Sequence, residues 1–79
     1  MKISIRYFAV LRDQRGLSQE TLDVDVSNVG ELYALEQSTH GFSLNSDQIR
    51  FAVNGQYVEA NQAIQPGDEV VFIPPVAGG

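Results

Sequence analysis

Two bare glycines, Gly78 and Gly79, follow a run that reads VFIPPVA. At a background frequency of about 7%, such a pair closes roughly 1 chain in 200, so it gains meaning only from what precedes it. Val71-Phe72-Ile73 is β-prone, and Pro74-Pro75 favour an extended backbone with no internal hydrogen bonds. An arm from Pro74 through Val76 and Ala77 to Gly79 spans about 20 Å, at roughly 3.3 Å per residue. Glycines carry no side chain, so its tip can thread a narrow channel and take whatever backbone angles a foreign pocket imposes. The reacting group is then the terminal carboxylate of Gly79. A carboxylate is a poor electrophile until a partner uses ATP to convert it to an acyl-adenylate. A sulfur donor can displace the adenylate, leaving a thiocarboxylate, which is a soft anionic nucleophile. Delivery into a partner's pocket makes its attack effectively intramolecular.

No other residues in the sequence make a self-contained site. His40 is the one histidine and falls near the negative end of a predicted helix, where a structural role is expected. There is no histidine pair for a metal, and no metal site is expected. The chain has no cysteine, which removes disulfides, thiolate zinc sites and a cysteine nucleophile together. It also leaves no internal thiol to compete for an activated carbonyl. Asp23 and Asp25 alternate on one strand face and could hold a cation, but a solvated face explains them. No serine has a histidine neighbour to activate it. No glycine-rich phosphate loop is present.

The bulk charge narrows the partners. The net charge is −5, and the basic residues are only Lys2, Arg6, Arg12, Arg15 and Arg50. Without a basic stripe, binding to nucleic acid or to an anionic membrane is not expected. No apolar run approaches the roughly 20 residues of a membrane span. The opening MKISIRYFAVL alternates rather than forming a continuous signal-peptide core. Together with the lack of cysteine, this fits a cytoplasmic protein.

The elements that must carry the arm follow from periodicity. Seventy-nine residues make one small domain, able to bury only about 60% of its unfolded surface. Ile3, Ile5 and Tyr7 alternate with Lys2, Ser4 and Arg6, which predicts a strand with one buried face. Residues 12–18 (RDQRGLS) read as a polar turn. Leu22, Val24 and Val26 alternate with Thr21, Asp23 and Asp25, giving a second strand. Asn28 and Glu31 have the spacing of a capping box, and Val29, Leu32, Tyr33 and Leu35 supply an apolar stripe, so a helix is predicted over 29–39. Gly30 is a weak helix former there, costing about 1 kcal/mol against Ala. Gly41 is a natural stop. Residues 42–47 read as a loop with room for one helical turn. Ile49, Phe51 and Val53 predict a third strand running into Asn54-Gly55, a strong hairpin signal, with Gln56-Tyr57-Val58 beyond it. Pro66-Gly67-Asp68 is a turn, and residues 69–73 (EVVFI) read as a central strand covered on both faces. This order predicts an α+β fold with a mixed sheet and one main covering helix. If the first and last strands are neighbours, they pair in parallel across the crossover that the helix supplies.

Phe8 and Ile73 have the wrong parity for the core face, and Tyr57 sits on a short outer strand. Clustered at the root of the arm, these three would form an apolar contact patch for a partner.

Several motifs carry a family resemblance over the whole chain. These are Tyr7-Phe8-Ala9 with Arg12-Asp13 three residues on, the Val53-Asn54 hairpin entry, and the closing GDEVVFIPPVAGG from Gly67 to Gly79. The sequence resembles the small subunits of molybdopterin synthase, a family of ubiquitin-like β-grasp sulfur carriers. The resemblance implies a β-grasp domain over residues 1–73 and an extended diglycine tail over residues 74–79. It implies that Gly79 is adenylated by a ubiquitin-activating-like enzyme that uses ATP, then sulfurated. The tail of Pro74, Pro75, Val76, Ala77 and Gly78 would insert into the large synthase subunit. There the thiocarboxylate would give sulfur to a cyclic pyranopterin phosphate, towards the dithiolene that later holds molybdenum. The assembly implied is a heterotetramer, the chain itself binds no cofactor, and the catalytic side chains belong to the large subunit. Phe8, Tyr57 and Ile73 match positions the family uses for an apolar contact. Tyr7 stands where Phe is more typical, and Asp13 where Glu is common. Two alternatives share the terminal chemistry. The thiamine-pathway sulfur carrier is similar in its Asn-Gly turn and glycine ending but tends to be shorter and lacks the double proline. A ubiquitin-like protein modifier would spend the same acyl-adenylate on an isopeptide bond.

Overall fold

The computed structural model describes residues 1–75; Val76, Ala77, Gly78 and Gly79 lie outside the described residues. Five strands form one sheet in the order β2-β1-β5-β3-β4. They are β1 (Lys2–Tyr7), β2 (Gln19–Asp23), β3 (Arg50–Val53), β4 (Gln56–Val58) and β5 (Glu69–Ile73). Two helices accompany them, α1 (Ala9–Arg15) and α2 (Val29–His40), with a single 3₁₀ turn at Ser46–Gln48. β1 and β5 pair in parallel, Ser4 with Glu69 through Tyr7 with Phe72, while β1–β2, β3–β5 and β3–β4 are antiparallel. The chain between β1 and β5 makes the required crossover and lays α2 on one face of the sheet.

The alternation in β1 buries Ile3, Ile5 and Tyr7. They meet Val29, Leu32 and Tyr33 of α2, with Val70 and Phe72 of β5, in one cluster. Aromatic rings dominate its centre: Tyr33 meets Phe72 edge-on at 5.1 Å and stacks on Phe42 at 5.9 Å. Such contacts add about 0.5–1.5 kcal/mol each beyond area burial. The Tyr33 hydroxyl donates to the Leu44 carbonyl at 2.6 Å, so a fully buried ring keeps its polar end satisfied. The Asn54-Gly55 hairpin forms as predicted, with φ of 52° and 85°.

Five local expectations are corrected. First, residues 9–15 of the segment around the expected 12–18 turn form α1. Leu11 is wholly buried, and Gly16 at φ 83° closes the helix by donating its N–H to the Arg12 carbonyl. Arg15 before Gly16 was the available stop signal. Secondly, β2 lies at 19–23 rather than 21–26, because its ladder with β1 ends at the Lys2–Asp23 pair. Thirdly, β5 is central but covered on one face only: Val70 and Phe72 are buried, whereas Val71 and Ile73 remain half-exposed. Fourthly, Leu35 is exposed and Glu36 takes the inward position. Seven residues after Val29 is two helical turns, so geometry puts residue 36 in the stripe despite its charge. Fifthly, the Asn28 side chain accepts from the Glu31 N–H, but the reciprocal pair of a capping box occurs instead at Asn45 and Gln48.

Gly30 has a packing reason. Its N–H donates to the Ala60 carbonyl at 2.8 Å, and a Cβ built on it would lie 3.0 Å from that oxygen and 3.2 Å from the Ala60 Cβ. Helix propensity alone favours Gly30→Ala by about 1 kcal/mol. The crowding reverses this, and a net loss of about 1–2 kcal/mol is expected in a urea unfolding titration. A stabilised variant would show that the 59–63 segment yields freely.

Candidate functional site

One helical layer covers one side of the sheet, so the other side faces outward. Strand register assigns its residues. Arg6, Val71, Ala52 and Tyr57 form one row across β1, β5, β3 and β4. Ile73 and Arg50 form the next row, at the end where the chain leaves β5. Phe8 follows β1 at that same end, in extended backbone, and is 42% exposed; Tyr57 is 70% exposed.

These residues meet around two shallow hollows. One, about 300 Å³, is lined by Phe8, Ala52, Gly55, Tyr57, Val71 and Ile73. The other, about 620 Å³, is bounded by Phe8, Val10, Leu44, Ile73 and the two prolines, Pro74 and Pro75. Phe8 and Ile73 are common to both and form the ridge between them. The structure thus brings Phe8, Tyr57 and Ile73 together and sets Pro74-Pro75 against the same apolar ground. The remaining residues of the expected arm, Val76, Ala77, Gly78 and Gly79, lie outside the described residues. Two cations frame the patch. The Arg6 guanidinium stands 5.9 Å from the Phe8 ring centre, and that of Arg50 stands 5.8 Å from Tyr57.

On the helix side lies a polar cluster that sequence reasoning missed. Tyr7 and Glu36 are nearly inaccessible to solvent. The Tyr7 hydroxyl lies 2.7 Å from Glu20 Oε2 and 3.1 Å from Glu36 Oε2, so two carboxylates share one phenolic proton. Arg15 from α1 donates to both oxygens of Glu20, at 2.7 and 2.8 Å. His40 Nε2 lies 2.9 Å from Glu36 Oε2, one turn along α2. His40 is therefore a helix-end structural residue. Glu20, Glu36 and His40 bring possible ligand atoms within 4.8 Å of one another. Arg15 already engages both oxygens of Glu20, and Tyr7 and His40 engage Glu36 Oε2, so a cation at those atoms would compete with the ion pair and hydrogen bonds that hold α1, β2 and α2 together. The hydroxyl of Tyr7, where the resemblance would place Phe, is what ties the two carboxylates to one another. Among the other candidates, Asp23 is largely exposed and pairs with the N-terminal amine at 2.9 Å.

The cluster sets a pH response. Burial, followed by the Glu20 hydrogen bond, raises the Tyr7 phenol far above its ordinary value near 10. Folding then favours the neutral phenol. Its contribution is fully present below about pH 10 and is lost as pH rises above that, by up to about 1.4 kcal/mol per pH unit. Burial pushes Tyr33 the same way. At the acid end, the Arg15 hydrogen bond holds Glu20 below its ordinary value of 4.5. That contribution is present above about pH 4.5 and is lost as pH falls through the folded value. Tyr7→Phe is expected to flatten the alkaline limb of a melting-temperature profile and to keep the larger part of the acid limb, which the Arg15 hydrogen bond supplies. An unchanged alkaline limb would assign it to Tyr33 alone.

A mixed five-stranded sheet wrapped on α2, with an apolar open face and a proline-led exit from its central strand, defines a ubiquitin-like β-grasp domain. The chain belongs to the ThiS family, which matches residues 5–79. It is 34% identical over 84 residues to a molybdopterin synthase sulfur carrier subunit of Chlamydomonas reinhardtii, covering 100% of both chains. It is 32% identical over 83 residues to the human protein of that name, covering 99% of this chain and 94% of the relative. Among solved structures, small archaeal modifier protein 1 of Haloferax volcanii superposes with a TM-score of 0.78 at 26% identity, covering 95% of this chain and 98% of that one.

Proposed function

We propose that the chain is a sulfur carrier of molybdenum-cofactor biosynthesis and the small subunit of molybdopterin synthase. The observation that carries this reading is its end-to-end kinship with relatives named as sulfur carrier subunits of that enzyme. The fold supplies the mechanics. β5 is locked between β1 and β3, so Pro74-Pro75 leave from a fixed point beside Phe8, Tyr57 and Ile73. A partner that covers the patch receives the arm at a defined position.

The chemistry belongs to Gly79. Its carboxylate attacks the α-phosphate of ATP on a ubiquitin-activating-like adenylyltransferase, and pyrophosphate leaves. A sulfur nucleophile attacks the acyl carbon, AMP leaves, and a thiocarboxylate remains. Inside the large synthase subunit the terminal sulfur attacks an electrophilic carbon of a cyclic pyranopterin phosphate, and a carbon–oxygen bond at that carbon breaks with its electron pair going to the oxygen. Water then cleaves the acyl–sulfur bond, restoring the carboxylate and leaving sulfur on the substrate. A second loaded carrier supplies the other dithiolene sulfur, and an assembly of two small and two large subunits provides both. The side chains that move protons belong to the large subunit.

Likeness to a small archaeal modifier protein favours one second reading, in which the same acyl-adenylate ends on a target lysine. Intact mass after incubation with the adenylyltransferase, ATP and a sulfur source separates the two. Exchange of one terminal oxygen for sulfur, followed by pterin-dependent discharge, supports the carrier. High-mass conjugates without discharge to the pterin overturn it.

A further inference from the structure

The open face carries a charge pattern opposed to that of the molecule. The chain has ten acidic and five basic residues. Two of the five, Arg6 and Arg50, stand on the two rows that hold the apolar patch, and no acid within the strands shares those rows. The acid closest to them along β5 is Glu69, which begins that strand and pairs with Ser4 one row further back. On the β4 side, Asp47 and Glu59 share a hollow with Arg50 and Tyr57, and Glu59, just past β4, is the acid nearest Arg50 in register, though it makes no ion pair with it. Among the described residues neither Arg6 nor Arg50 makes an ion pair, whereas Arg15 is held by Glu20. Both are exposed, and each guanidinium lies over an aromatic ring that also lines the patch. A guanidinium resting on a ring is positioned in advance, is weakly hydrated and keeps its donors free for a carboxylate.

We propose that Arg6 and Arg50 read the partner: the surface of the large synthase subunit that covers Phe8, Tyr57 and Ile73 places carboxylates opposite these two guanidinium groups. This rests on the carrier reading above. The large subunit is the fitting occupant because a patch this apolar needs lasting cover, which a subunit gives and a passing activating enzyme does not. The charge logic follows. A body of net charge −5 repels an acidic surface from most directions, so approach is productive only with the Arg6–Arg50 face leading. That orientation also points the arm at the partner. Charges at the edge of an interface act mainly on association rate and on rejection of wrong partners.

The test measures association of the full-length chain with the purified large subunit from the same genome. Salt is raised from about 0.01 M to about 1 M, which shortens the screening length from roughly 30 Å to 3 Å. The unaltered chain is expected to associate about tenfold or more faster at low salt. The double variant Arg6→Gln/Arg50→Gln loses that advantage, while Arg6→Lys/Arg50→Lys keeps it. Both variants should melt at the temperature of the unaltered chain, which separates charge from folding. A Gln variant with unchanged rate and salt slope overturns the proposal. So does a salt slope seen with the adenylyltransferase but not with the large subunit. If the unaltered chain fails to bind the large subunit at any salt concentration, the carrier reading itself fails and takes this inference with it.

Discussion

Deleting Gly79, or adding residues beyond it, is expected to abolish sulfur loading and transfer while leaving the unfolding midpoint unchanged. The proposed reaction needs a free α-carboxylate at the end of the arm. An extension replaces that carboxylate with an amide, which cannot be adenylated. Removal of Gly79 shortens the reach by about 3.3 Å, and a misplacement of about 1 Å at a reacting atom can already cost two orders of magnitude. Stability should not follow, because among the described residues the buried cluster draws on none later than Phe72. Intact mass before and after the adenylation–sulfuration reaction, read beside a thermal melt, checks both halves. An extended chain that transfers sulfur normally without being trimmed would refute the mechanism.

Phe8→Ala is expected to weaken association with the large subunit by about 30-fold or more, the scale of a central aromatic anchor worth about 2 kcal/mol. The same change should lower folding stability by less than about 1 kcal/mol. Phe8 is partly exposed, makes no side-chain capping bond, and serves the start of α1 through its backbone carbonyl, which accepts from the Leu11 N–H at 3.1 Å. Its ring forms the ridge shared by the two hollows. Calorimetric binding and chemical unfolding of the same preparation check the two numbers. A large loss of stability with unchanged binding would place Phe8 in the core.

Particular residues show how much of this was legible. Alternation at Ile3, Ile5 and Tyr7 named a strand and its buried face, and the Asn54-Gly55 pair named its hairpin, because both signals act over a few residues. The parity of Phe8 and Ile73 set them off the core face without knowledge of the helix that covers the other side. Helix α1 was missed because its short span offers one buried residue, Leu11, and its N-terminus has no side-chain cap. Glu36 was missed because charge argued against burial more strongly than spacing argued for it. Its partners come from β1 and from the last turn of α2, and Glu20 and Arg15 join through β2 and α1. A buried carboxylate is tolerated only when such donors converge, and convergence is a property of the assembled chain.

Order along the chain therefore specified β1, β3, β4 and β5 to within a residue, the principal helix, the Asn54-Gly55 and Pro66-Gly67 turns and the missing thiol, since each follows from composition, short-range sterics or periodicity. Folding alone made β1 and β5 neighbours, left one sheet face bare, and gathered Phe8, Tyr57, Ile73, Arg6 and Arg50 at the root of the arm. The reason is one of layers: a five-stranded sheet has two sides, and a single covering helix can close only one of them.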